Sequence, residues 1–247
     1  MKNTNFFYLV LLILVTSISF VGCKKDDEGS FGDGYVYEGG TVSDIDGNTY
    51  DTLSIGNQTW MAQNLMVTRY NDGTAISNIT DAAKWASDSL GAYCDYNNDP
   101  AISTLYGRLY NWYAVASDSL CPDGWRVPRR SDWDALENYI FAIDSTYSED
   151  SIAVALKSSF GWNDNANGDD YYHLRVLPAG CRTSYDGRFI DLGSFGHFWT
   201  PEQFYHPINH TYHGLNYSFD RYSKDVRLAR VGKDKTRGYS VRCIKDN

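Results

Sequence analysis

Residues 121–136 read CPDGWRVPRRSDWDAL. A cysteine, a Pro-Asp-Gly turn, two tryptophans and three arginines within one short stretch could serve a redox site, half a metal site, a basic recognition patch or a structural corner. The local chemistry favours the corner. Pro122-Asp123-Gly124 supplies turn residues, Trp125 and Val127 are spaced to enter a core, and Pro128 ends the extended run. Ser131 then starts a helix. Asp134 follows three residues later in an approximate capping box, and Trp133, Leu136, Tyr139 and Ile140 form an apolar stripe at helical spacing. Arg126, Arg129 and Arg130 are expected to be solvated or ion-paired, because the chain as a whole is acidic.

Upstream of the corner, GTVSDIDGNTYDTLSIGNQTWMAQNL (40–65) alternates like short strands, with hairpin signals at Asp46-Gly47 and Gly56-Asn57. TDAAKWASDSL (80–90) reads as a short helix capped by Thr80. The spacing of Leu105, Leu109, Trp112, Tyr113 and Ala116 predicts one helix over 103–117, capped by Ser103 or Thr104. A further helix is expected within 149–159. From 171 onward, short strands are cut by glycine turns. Two or three helices followed by a string of largely antiparallel, irregular strands is an α+β arrangement.

The N-terminus predicts an address. Lys2 precedes an apolar run, FFYLVLLILVTSISFVG, which stops at Cys23. A positive start, an apolar middle and a small residue before the cysteine describe a cleaved signal over 1–22 rather than a spanning helix. The segment resembles a bacterial lipoprotein signal, in which Cys23 becomes the acylated first residue and outer-membrane lipid the first partner. The charged, glycine-rich 23–40 reads as a flexible acidic tether. Its Lys25-Asp26-Asp27 resembles the signal that sends Bacteroidetes lipoproteins to the cell surface. The net charge of −9 argues against a nucleic-acid partner, whose binders need a basic face.

Seven blocks occur in order over 41–247: DIDGNTY, IGNQTWMAQNL, GAYCDYNND, YGRLYNWYAV, CPDGWRVPRRSDWDAL, LPAGCR and GYSVRC. Together they resemble the Fibrobacter succinogenes major paralogous domain of Fibrobacteres and Bacteroidetes surface lipoproteins. That family is similar to the C-type-lectin-like fold, shared with formylglycine-generating enzymes and with receptors varied by diversity-generating retroelements. The resemblance implies a lectin-like mixed domain with adjacent termini and a ligand surface on irregular C-terminal strands. It brings no established reaction. The chain departs from the family at Cys181, where the usual block reads Leu-Pro-Gly-Gly-Tyr-Arg.

With Cys23 lipidated, Cys94, Cys121, Cys181 and Cys243 remain, an even set that suggests disulfides in an exported protein. No Cys-x-x-Cys spacing supports a thioredoxin-like or zinc-ribbon site. In the lectin-like fold the last strand lies beside early core elements, which implies a Cys121–Cys243 bridge and leaves Cys94–Cys181 as the remaining pair. An oxidase of the formylglycine-generating type would need two neighbouring reactive cysteines in the C-terminal third, where Cys181 and Cys243 are the candidates.

Two metal patterns are present in part. GWNDNANGDD (161–170) offers Asn163, Asn165, Asn167 and Asp169 as calcium ligands, but the twelfth loop position holds Leu174 where an acidic residue is needed. A loop closed by Asx turns explains the same residues. His206, His210 and His213, with His197 upstream and Glu202 nearby, could bind zinc, although on a strand 206 and 210 share a face and 213 does not.

The stretch 199–240 is rich in Tyr, Asn, His, Ser and Arg, a paratope-like composition in which tyrosines give rigid contact area and amides adaptable hydrogen bonds. Tyr205, His206, Asn209, His210, Tyr212, Asn216, Tyr217, Arg221 and Tyr222 are the candidate ligand-binding residues. Phe198, Trp199, Leu215 and Phe219 are expected in the core. No hydrolase, zinc-protease or phosphate-loop motif occurs. The expectation is therefore a non-enzymatic surface lipoprotein that binds an extracellular glycan or protein. A structural or adhesion component of the cell surface is the alternative.

Overall fold

The structure is a computed structural model and describes residues 39–144, 151–222, 226–228 and 233–246. The predicted signal, Cys23 and nearly all of the tether lie outside the described residues.

In chain order the elements are β1 (Gly40–Ser43), β2 (Thr49–Ile55), β3 (Gln58–Met61), β4 (Ser77–Asn78), α1 (Ala82–Ser87), β5 (Ala92–Cys94), α2 (Pro100–Tyr106), β6 (Leu109–Tyr110), α3 (Trp112–Val115), β7 (Trp125–Arg126), α4 (Arg130–Ile143), α5 (Ile152–Leu156), β8 (Ala179–Arg182), β9 (Phe189–Leu192), β10 (Phe195–His206), β11 (Thr211–Asp220), β12 (Val226–Leu228) and β13 (Ile244–Lys245). A single 3-10 turn over Tyr96–Asn98 joins β5 to α2. The fold is α+β. One five-stranded sheet runs β1-β2-β3-β13-β7, a second runs β12-β11-β10-β8-β9, and β4-β5-β6 form a small third sheet. Pairing is antiparallel except for β10 with β8 and β4 with β5.

Both hairpins expected near the N-terminus form. At the first, Asp44 accepts the backbone N–H groups of Asp46 and Asn48, each at 3.0 Å, and the Tyr50 hydroxyl at 2.6 Å. That is an Asx-type closure of the Asp46-Gly47 turn. The helix expected over 103–117 does not form as one piece. Gly107 adopts φ +75°, and a side chain there would stand 2.5 Å from Asn64 Cβ, so the chain turns at a position only glycine fills. The Arg108 N–H goes to Leu65 O, and Leu109–Tyr110 pair with β5 as strand β6. Each resulting helix has its own cap. Asp99 accepts from the Ala101 N–H for α2, and Asn111 from the Ala114 N–H for α3. Helix α1 is likewise capped by Asp81, not Thr80.

The corner at 121–136 is packed into the body of the fold. Val127 is buried and Trp125 is half-buried against the core. Helix α4 starts one residue before Ser131. Asp132, not Asp134, accepts the Arg129 N–H at 2.6 Å, and the same carboxylate holds Arg126 at 2.6 and 3.0 Å. Asp134 instead pairs with Arg130 at 3.4 Å. The stripe falls inward as its spacing requires: Trp133, Leu136 and Ile140 are buried.

Cys121 and Cys243 are bridged, with 6.0 Å between their Cα atoms, and β13 pairs with both β3 and β7. Cys94 and Cys181 are not bridged, contrary to the expectation that they form the second pair; both are free and buried. Cys94 packs with Trp85, Tyr96 and Leu109 under the small sheet, whereas Cys181 belongs to the cluster that includes Tyr110, Trp199 and Tyr239. Separate hydrophobic clusters take up the two thiols. No helix among the described residues is long and apolar enough to cross a membrane.

Candidate functional site

The β10–β11 hairpin is divided between core and solvent. Near its base Phe198, Trp199, Tyr217 and Phe219 are buried, while Leu215 is half-buried. A register irregularity between Trp199 and Gln203 interrupts the pairing, and beyond it Tyr205 faces Tyr212 and Phe204 faces His213. Past the bulge the strands leave the core, so Phe204, Tyr205 and Tyr212 are exposed.

This division splits the candidate binding residues. Tyr205, His206, Asn209, His210 and Tyr212 share the tip. The Tyr205 and Tyr212 rings lie 5.2 Å apart, and the Tyr205 hydroxyl is 2.8 Å from His210 Nδ1. Asn216 and Tyr217 do not belong to an exposed surface and are corrected to buried positions. Asn216 donates to Ser218 Oγ at 2.6 Å, and the Tyr217 hydroxyl donates to Glu137 of helix α4. The cause is the strand's descent into the core at Gly214–Leu215. Arg221 and Tyr222 lie past the other end of β11, about 30 Å from the tip at roughly 3.3 Å per strand residue. There Arg221 pairs with Asp164 at 2.7 Å.

The histidines also separate. His206 and His213, on facing strands, bring their rings to 5.5 Å, although strand parity alone sets them apart; His210 turns to Tyr205 instead. His197 is buried well away from the tip, with Nδ1 2.7 Å from Ser218 Oγ, and burial pulls its imidazole down to about 3.

In the 161–170 loop, Asn167 Oδ1 accepts the Trp162 N–H at 3.0 Å and Asp169 accepts the Tyr171 N–H at 3.2 Å. Asn163 reaches Leu192 O and Ser194 Oγ, both at 3.5 Å, and Asn165 has φ +59°. Asn167 and Asp169 thus close local turns, while Asn163 reaches across to the segment at 192–194.

The hairpin tip forms one wall of a cleft of about 400 Å³. Tyr113, from α3, and Tyr185, from the β8–β9 turn, line it together with Tyr212. Asn209, Ser184 and Asp234 add polar groups; Ser184 Oγ donates to Asp234 at 2.8 Å, and His213 Nδ1 lies 3.5 Å from the same carboxylate. Lys235 is committed within this wall. Its ammonium lies 4.2 Å from the Trp112 ring centroid, donates to Gln203 at 2.7 Å, and is held below the ordinary lysine range by desolvation. Asp234 and Lys235 fall inside the Tyr- and Asn-rich stretch, but Tyr113, Ser184 and Tyr185 carried no local signal. Only the convergence of three distant segments brings them together.

Gly214 sets the hairpin's approach to this wall. A Cβ there would stand 2.4 Å from Trp112 Cδ1, whose indole N–H donates to Thr200 O at 3.1 Å. Gly214→Val is expected to lower stability by about 1–3 kcal/mol through overpacking, read from the urea midpoint. An unchanged midpoint would show that β11 lifts freely from Trp112.

A family model described as the Fibrobacter succinogenes major domain matches residues 53–245. No curated protein and no solved structure matches the chain.

Proposed function

The chain belongs to the Fibrobacter succinogenes major domain family, and from that premise we propose that it is a lipoprotein held at the outer cell surface by acylated Cys23, whose lectin-like domain binds an extracellular glycan. The observation that carries the reading is the cleft at the hairpin tip. Exposed faces of Tyr185 and Tyr212, at 67% and 56% accessible, stand beside Asn209, Ser184 and Asp234. Apolar ring faces take the C–H faces of a pyranose, while carboxylate, amide and hydroxyl groups take its hydroxyls. A few convergent polar groups in an aromatic-lined concavity are what small-ligand sites share.

Two features support a binding module over an oxidase. Cys243 is held by Cys121, and burial pushes the Cys181 thiol up to about 12, which leaves no pair of reactive thiolates at 181 and 243 among the described residues.

The test is a glycan array followed by titration calorimetry with any glycan found. Tyr212→Ala is expected to weaken binding at least about 10-fold, equivalent to about 1.4 kcal/mol, with the fold unchanged. An array without binding at high protein concentration would undercut the reading in favour of a structural component of the cell surface. Undiminished affinity in Tyr212→Ala and Tyr185→Ala together would move the site elsewhere.

A further inference from the structure

Cys181 on β8, Asp191 on β9 and His197 on β10 come from three strands of one sheet. One ligand-capable atom from each lies within 4.8 Å of the other two. The Cys181 Sγ donates to an Asp191 carboxylate oxygen at 3.9 Å. We propose that these three side chains form a zinc-binding site, with the fourth tetrahedral position left to water.

The donor set is a mixed sulfur, nitrogen and oxygen set of the kind zinc accepts. His197 is already oriented. His197 Nδ1 lies 2.7 Å from Ser218 Oγ; in the tautomer that donates there, Nε2 keeps its lone pair, the arrangement in which an outer hydrogen bond fixes a ligating imidazole. The ring is buried. Asp191 is half-buried and gives the cluster a side open to solvent.

The neighbouring charges select among metals. Arg237 and Lys233 both act on this cluster. Their charge opposes any cation, and a hard ion such as calcium would find one carboxylate, a thiol and an imidazole to offset it. Zinc offsets it through sulfur and nitrogen bonds. On binding, the Cys181 thiol loses its proton to solvent and a sulfur–zinc bond replaces the S–H bond, with no change of oxidation state. Arg237 then faces a thiolate.

The site is independent of the cleft, although the 233–239 segment touches both, Asp234 at the cleft and Arg237 beside Cys181.

The experiment uses the full chain, stripped with chelator and titrated with zinc against a chromophoric competitor. One zinc per chain is expected at micromolar protein. Cobalt in place of zinc is expected to give a near-ultraviolet thiolate-to-metal charge-transfer band. Cys181→Ser should abolish that band. Asp191→Asn, at a partly exposed position that burdens the fold least, should weaken zinc binding at least about 10-fold. The paired substitutions His206→Gln and His213→Gln should leave affinity unchanged. The proposal is overturned by an absence of stoichiometric zinc, by cobalt binding without a thiolate band, or by binding that survives Asp191→Asn and disappears with His206 and His213.

Discussion

Replacing Cys121 and Cys243 together by serine is expected to lower the unfolding free energy by about 3–5 kcal/mol. The bridge closes a sequence separation of 122 residues. On the chain-entropy account, a loop of this size removes about 5 kcal/mol of freedom from the unfolded ensemble. Both sulfurs are buried, so the serine hydroxyls add an unfavourable contribution of their own. The loss is large against a typical domain stability of about 5–15 kcal/mol. The measurement compares guanidinium unfolding of the oxidised wild type with the double variant. A difference below about 1 kcal/mol would mean that the unfolded chain is already restrained in some other way. A variant that kept its stability but lost ligand binding would overturn the assignment of this corner as scaffold.

The second large effect is expected at Trp133, the first core residue of α4. Its ring stacks on Tyr217 at 4.9 Å and 11°, and lies 4.7 Å from Trp60, 5.5 Å from Phe198 and 6.1 Å from Phe219. The side chain is 1% accessible. Trp133→Ala removes the contact between α4, the first sheet and the buried base of the β10–β11 hairpin. A cost of about 3–5 kcal/mol is expected, as for other buried aromatic truncations. Trp133→Phe should recover most of it, because it refills much of the volume. Thermal unfolding reads both. A loss under about 1.5 kcal/mol for the alanine variant would mean that neighbouring rings collapse into the space. The hairpin tip should keep its local geometry in either variant, since it is joined to α3 and the 233–235 segment, and its link to α4, from the Arg130 N–H to Glu202 at 3.0 Å, does not involve Trp133.

Much of the scaffold was legible because its signals are local. Asp46-Gly47 and Gly56-Asn57 specify turns from a few adjacent residues, and the α4 stripe repeats at the helical period over two turns. The failures share a cause. Over 103–117, helical periodicity was real, but Gly107 stands against Asn64 and Leu109–Tyr110 find strand partners. Tertiary contacts overrode a local pattern. Arg242 shows the same limit. It is 1% accessible, donates to Asn64 Oδ1 at 2.6 Å and to carbonyls of Leu174 and Arg175, and burial brings it down to about 9. Nothing adjacent in sequence marks it as an interior hydrogen-bonding hub.

By itself the sequence determined the α+β class, the turn and helix of the corner at 121–136 and, through seven ordered blocks, the family. Those depend on turn chemistry, period and motif order, which are properties of neighbouring residues. Only the tertiary structure decided that Tyr205 and Tyr212 reach solvent while Asn216 and Tyr217, a few positions along the same strand, are buried. It alone left Cys94 and Cys181 unpaired, and it alone placed Cys181, Asp191 and His197 together. Alternation along a strand assigns faces but not depth. Depth depends on where the hairpin meets Trp112 and Trp133, contacts between residues roughly a hundred positions apart, which closure of the whole chain creates.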